Sequence, residues 1–195
     1  MATSVTLLVG DSQLEIIPQE GAVLADFQIN GMSFLAQTPW SATVQPSPLP
    51  AADERAWVEN WRGGWQLCAP NTGSATEHSA EPAFHGAASQ ANWAITEVNP
   101  DSLTLNWIDS RGEIELSRRW SVSAGVVTAD STATNHSANR KAVGFAEHLI
   151  LGSDFLQPLR HGAAANLSYC PAATLVELDY SGAPLEAKGQ SSVPA

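Results

Sequence analysis

Five histidines are spread along this chain, and two of them sit where an imidazole could do proton work. His85 lies in Pro82-Ala83-Phe84-His85-Gly86, with Trp93 closing the segment. His148 ends Gly144-Phe145-Ala146-Glu147-His148, at the close of an apolar run. Imidazoles titrate near neutrality, so two of them on one small polar molecule can divide the roles of proton donor and acceptor. Gly86-Ala87-Ala88 removes bulk after His85, which lets a ligand approach the backbone. Glu147 adjoins His148, but alternation along a strand puts the two on opposite faces, so they need not form a dyad. Either histidine, taken alone, also suits a structural role. His78 and His161 read as surface loop residues, and His136, in Thr134-Asn135-His136-Ser137, as a hairpin tip.

The chain carries seven tryptophans between Trp40 and Trp120. Indole faces stack on the apolar faces of sugar rings, and the ring N–H can bond a hydroxyl. Trp107 and Trp120 lie on strands and suit core packing. Trp61 and Trp65, on either side of Arg62-Gly63-Gly64, are better placed to meet a ligand.

Composition narrows the choice of partner. The net charge of −11 and the presence of only nine Lys and Arg residues speak against a nucleic-acid surface, which needs clustered cations. A neutral sugar brings no charge to be repelled. No apolar stretch is long enough for a membrane-spanning helix, and Met1-Ala2-Thr3-Ser4-Val5 does not open like a secretory signal, so a cytoplasmic protein is expected. Cys68 and Cys170 are too far apart for a close-spaced metal motif, and in that compartment they are expected to be free thiols. With histidines and cysteines scattered singly, no metal site is expected, and no phosphate-binding loop, dinucleotide fingerprint or nucleophile elbow implies a cofactor.

Strands must position these residues. Val5–Val9, Leu14–Pro18, Ala22–Ile29 and Met32–Leu35 read as strands broken by Gly, Asp and Asn turns. Trp93–Val98, Leu103–Ile108, Ile114–Val122, Val126–Thr134 and Ala142–Ala146 follow, several with clear period-two alternation. Successive hairpins without helical spacers predict an all-β chain of antiparallel sheets packed as a β-sandwich. Residues 38–83 read as a long loop rich in Trp and Pro, functional rather than disordered because of its aromatics. The 195 residues suit one domain or a large part of one, with residues 187–195 a frayed tail.

Gly64-Trp65-Gln66-Leu67-Cys68-Ala69-Pro70-Asn71-Thr72-Gly73, then Phe84-His85-Gly86 and Trp93, resembles the aldose 1-epimerase (galactose mutarotase) family. Pro18-Gln19-Glu20-Gly21-Ala22 with Asn30-Gly31 is similar to that family's first strands, and residues 135–152 to its second histidine region. In that register the histidine follows the strand after the turn, which selects His148 over His136. The resemblance spans about residues 5–180. It implies a galactose mutarotase-like antiparallel sandwich that binds a sugar on a concave face and interconverts its anomers by acid/base ring opening. It further implies His148 as the acid, His85 as the residue that binds and polarises the sugar, Asn71 as a hydroxyl ligand and Trp65 as a cleft wall. Arg62 beside them is a third substrate-binding candidate.

Two departures from the pattern matter. Thr72-Gly73 stands where an arginine often follows the asparagine. The family's general base, a glutamate after a substrate-binding aspartate near the end of a longer chain, has no match in Glu177, Asp179 or Glu186. The chain therefore reads as the N-terminal portion of such a domain, with its C-terminal strands missing. Three functions compete: an aldose 1-epimerase-like isomerase, a carbohydrate-binding or regulatory relative without turnover, and an inactive fragment. The oligomeric state is not legible.

Overall fold

The structure, a computed structural model, describes residues 3–46, 49–75, 83–162, 175–178 and 184–188. The chain divides into two compact units, residues 1–155 and 156–195. Within the first unit, β1 (Val5–Val9), β2 (Ser12–Ile17), β3 (Val23–Ile29), β5 (Trp65–Cys68) and β10 (Ala146–Leu149) form one antiparallel sheet in that order, with β4 (Met32–Ser33) paired to β3. The second sheet is a meander of β6 (Ala94–Asn99), β7 (Ser102–Ile108), β8 (Ile114–Ser123) and β9 (Val126–Asn135). Two short helices, α1 (Glu54–Glu59) and α2 (Ser153–Arg160), complete the pattern. By itself, the second unit shows a hairpin of β11 (Leu175–Leu178) and β12 (Pro184–Lys188). No helix among the described residues is long and apolar enough to cross a membrane.

Alternation builds the core. In β8, Ile114, Leu116, Arg118, Trp120 and Val122 are buried while the residues between them are more open. Leu103, Leu105 and Trp107 of β7 bury on the same side, matched across the pair to Trp120, Arg118 and Leu116. These side chains pack with Leu7, Leu14, Ile16, Leu24 and Leu67 of the first sheet. Trp120 joins the sheets directly. The Trp120 indole donates to the Ala22 carbonyl at 3.0 Å and meets Trp65 edge-on with centroids 5.2 Å apart. An all-β sandwich is what the alternating pattern predicts, and it is what forms.

The stretch expected to be a loop, residues 38–83, is not irregular throughout. It carries α1 and β5. Asp53 caps α1 by accepting the Ala56 N–H at 2.9 Å, and Arg55 pairs with Glu59 one turn on, both ordinary helix signals in a very short element. Strand β10 starts at Ala146 rather than ending there, because its ladder partners are Cys68 to Trp65. Cys170, His78 and most of the tail expected to fray lie outside the described residues. The other cysteine, Cys68, is buried and free, and burial pushes its thiol up to about 12.

Removing a core side chain should cost far more than removing an exposed one of similar size. Leu105→Ala is expected to lose about 2–5 kcal/mol. Val98→Ala, at a position 61% exposed, should stay within about 0.5 kcal/mol. Urea unfolding followed by tryptophan fluorescence distinguishes them, and equal losses would contradict the two-sheet core.

Candidate functional site

Strand β5 has two buried faces. Its register with β10 sets Leu67 opposite Glu147 and Gln66 opposite His148, and cross-strand partners share a face. Trp65, Leu67 and Glu147 therefore turn toward the second sheet, while Gln66, Cys68 and His148 turn away from it. A small second core covers this outer face, made of Ala51, Trp57 and Cys68 with Trp61, Phe84 and Ala146 packed against them.

Both candidate histidines enter this second core. The His85 and His148 rings lie 6.0 Å apart between centroids. Trp57 meets His85 edge-on at 4.7 Å and His148 at 5.7 Å. Trp61 meets His148 at 4.4 Å with the rings almost perpendicular, and Phe84 flanks His85 at 4.2 Å. The site is thus a pair of imidazoles held in an aromatic box.

Hydrogen bonds fix the box to the sheet. Gln66 donates from Nε2 to the Ser89 carbonyl at 2.6 Å and to the Gly21 carbonyl at 3.2 Å. Ser89 sits in the 3-10 turn Ala87–Gln90, and its hydroxyl accepts from the Trp57 indole at 2.9 Å and donates to the Gly86 carbonyl at 2.8 Å. Gln90 in turn donates to the Trp57 carbonyl at 2.7 Å. Asn71 donates from Nδ2 to the Gly73 and Ala83 carbonyls at 2.8 and 3.0 Å, and the same Gly73 carbonyl accepts the His85 N–H at 2.8 Å. Asn71 therefore shapes the loop that carries His85.

The backbone at His85 is constrained. Its φ of 56° and the φ of 80° at Gly86 place two successive residues in a region that side chains disfavour. A Cβ on Gly86 would lie 2.0 Å from the Ala69 carbonyl oxygen, so only glycine allows the loop to close onto the end of β5.

Burial sets the charge state of the pair. The His85 imidazole is held below its ordinary value mainly by desolvation, against a hydrogen bond to the Thr72 backbone that favours the cation. Its proximity to His148 lowers it further. His148 is lowered by desolvation alone. Among the described residues no ion pair joins a carboxylate to either ring. Four buried side-chain atoms here have no hydrogen-bond partner: His85 Nδ1, His148 Nδ1, Trp61 Nε1 and Asn71 Oδ1. A buried polar atom left unpaired costs about 1–3 kcal/mol, so each of these atoms is a cost that the packing around the pair must offset.

The other sequence candidates are placed differently. Trp65 is not brought to the histidines. It lies on the opposite face of β5 and donates its indole N–H to Glu147 at 2.6 Å. Arg62 spends two donors on Glu20, at 2.6 and 2.8 Å, in a pair whose side chains are only 16% and 7% exposed. His136 pairs with Glu115 at 2.8 Å on the second sheet, away from β10. Among the described residues no group of three or more His, Cys, Asp or Glu is arranged to hold a metal ion.

Sequence reasoning did not single out Trp57, Gln66 or Ser89. Trp57 was recoverable: Asp53, followed by six residues free of Gly and Pro with Arg55 and Glu59 at helical spacing, is a helix start. Gln66 carried no signal, since a polar residue in a strand ordinarily faces solvent.

No protein-family model matches this chain, and no curated protein matches it. Solved structures do. A galactose mutarotase-related enzyme from Lactobacillus acidophilus superposes with a TM-score of 0.67 over 99% of this chain and 65% of its own, at 12% identity. A galactose mutarotase-like protein from Lactobacillus casei ATCC 334 gives 0.51 over 70% of this chain and 46% of its own, at 13% identity. A candidate aldose 1-epimerase from Escherichia coli K12 gives 0.51 over 71% and 48%, at 17% identity. The chain thus has the galactose mutarotase-like β-sandwich fold and spans about half to two thirds of the length of these structures.

Two outcomes test the site's physics. Both histidines have folded-state values below the ordinary 6.5. Between those values and 6.5 the unfolded chain binds more protons than the folded one, so stability rises with pH through that window and falls as pH drops below 6.5. Urea midpoints measured between pH 7.5 and 5 should fall less steeply for the His85→Gln/His148→Gln variant than for the parent. Identical slopes would contradict the desolvated pair. Gly86→Ala should cost more than about 1 kcal/mol, read as a lower melting temperature.

Proposed function

We propose that this protein binds an aldose sugar at the His85–His148 box and interconverts its anomers, as an aldose 1-epimerase-like isomerase. The observation that supports this most is the meeting of the two imidazoles with each other and with the Trp57, Trp61 and Phe84 rings. Aromatic walls suit a sugar's C–H faces, while unpaired donors and acceptors suit its hydroxyls.

The reaction needs one proton removed from the anomeric hydroxyl and one delivered to the ring oxygen. The C1–O5 bond then breaks, C1 becomes an aldehyde carbon and turns about its bond to C2, and O5 adds back to its other face. The same two groups return the protons, so nothing is consumed. His148, on the strand, is the acid that protonates O5. His85 is the acceptor. The Thr72 backbone favours its protonated form. As the acceptor, His85 takes a base role in this reading in place of the binding and polarising role that the family resemblance implies. Asn71 Oδ1 and Trp61 Nε1 are the hydroxyl ligands of the site, with Trp57 and Trp61 as its walls.

A second reading is binding without turnover. It draws on the absence, among the described residues, of a carboxylate paired with either ring, which leaves proton abstraction to a weakly basic imidazole. Polarimetry on freshly dissolved α-aldoses separates the two. Turnover predicts equilibration above the spontaneous rate, falling about 100-fold or more in His148→Ala. Background rates across a panel of hexoses and pentoses, together with a saturable change in tryptophan fluorescence, would establish binding alone. Background rates with no fluorescence change would remove both readings.

A further inference from the structure

Arg118 is a fully buried cation in the middle of β8, and it reaches across the sandwich to the short edge strand that carries His148. Its Nη1 and Nη2 donate to the two Glu147 carboxylate oxygens at 2.8 and 2.9 Å. Nη1 also donates to the Ser131 hydroxyl at 2.7 Å, and the guanidinium lies over the Trp120 ring, 4.1 Å from its centroid. The Trp65 indole completes the carboxylate's partners at 2.6 Å. Arg118 is 0% exposed and Glu147 37% exposed at the side chain, and Arg118 Nε is buried without a partner.

This is an expensive arrangement for stability alone. Taking a guanidinium out of water is costly, and apolar replacements of such pairs are often neutral or stabilising. What the pair does supply is position. Strand β10 is four residues long and pairs with β5 alone, and the chain just beyond it is tied by backbone bonds of Ile150 to Gly64 and Ala36 and of Gly152 to Phe34, so the side-chain hold acts on the strand itself. The His148 ring has no hydrogen bond at Nδ1 and is located by edge contacts with Trp61 and Trp57. The residue before it is clamped at both carboxylate oxygens from the opposite face.

We propose that Arg118 and Glu147, with Trp65, are positioning residues for His148: they lock β10 from the core side and thereby aim the imidazole on the site side. Trp65 serves the site through this contact and not as a wall of it. The inference rests on the proposed function only for its catalytic consequence; the placement of the ring is tested without any sugar.

The experiment compares the parent, Glu147→Gln and the apolar double variant Arg118→Met/Glu147→Leu. The double variant leaves no buried unpaired charge, so it keeps a folded form to measure. The readout is the imidazole carbon-bound proton resonances by NMR, with His136 as the internal control because it lies on the second sheet. Expected is a shift or broadening of the His148 resonance in both variants, with His136 unmoved and cooperative unfolding retained in the double variant. A double variant that unfolds cooperatively with His148 unmoved would overturn the proposal. Should neither variant fold, Trp65→Phe, which removes only the indole donor, is measured in the same way. An unmoved His148 there would also overturn it. In polarimetry, where the parent is active, the double variant should lose about 10-fold or more in kcat with a smaller change in KM. An inactive parent removes the proposed function but leaves the NMR result to decide the positioning role.

Discussion

Trp65–Cys68 must satisfy two interiors at once. One face of this strand closes the sandwich, with Leu67 in the main core and Trp65 against Trp120. The other is the floor of a second core under Trp57. A strand with no solvent face cannot slip, because a one-residue shift would send Leu67 into the polar network at Ser89 and Gln66 into a hydrocarbon core. Its register with β10 is therefore fixed, and with it the side on which His148 emerges. The box exists because the fold's least exposed strand carries a polar residue, Gln66, aimed outward, and that residue recruits the turn, the turn recruits the helix, and the helix supplies Trp57.

The same burial defines the chemistry. Aromatic packing brings the two imidazoles together and, by desolvating them, disfavours charge on either. A pair that shared one proton in water would share it less readily here. Neutral rings keep a donor and an acceptor nitrogen apiece, so each can hydrogen-bond a hydroxyl, while a ring that is to give a proton away must first be protonated. The aromatic box and the lowered imidazoles are consequences of one packing arrangement and not separate features.

How much of this was legible depended on local redundancy. Strands β7 to β9 alternate over seven to ten residues, so each repeats its signal several times and the sandwich could be predicted. The histidines could be singled out because Phe84-His85-Gly86 and the apolar run before His148 are unusual contexts. What could not be read was anything set by contacts distant in sequence. Strand β5 is four residues between a glycine pair and Pro70, too short to show a period. Its polar Gln66 is buried by a turn more than twenty positions away. Trp65 looked like a cleft residue on residue type, and only its pairing with Leu149 shows which face it occupies.

Adjacent residues on a strand are usually treated as having little to do with each other beyond the backbone. Glu147 and His148 show why that is incomplete. Alternation sends them to different interiors, yet the peptide unit between them is rigid, so a force that fixes one Cα direction fixes the next. A carboxylate that holds the fully buried Arg118 guanidinium is hard to justify as a stabiliser, given the desolvation of that cation. As the inward half of a two-faced anchor it has a purpose. The core side supplies a directional, hydrogen-bonded hold, and the site side keeps an imidazole whose own nitrogen stays free. A hydrogen bond made directly to that nitrogen would position the ring just as well, but it would occupy an atom that the proposed function leaves for the sugar.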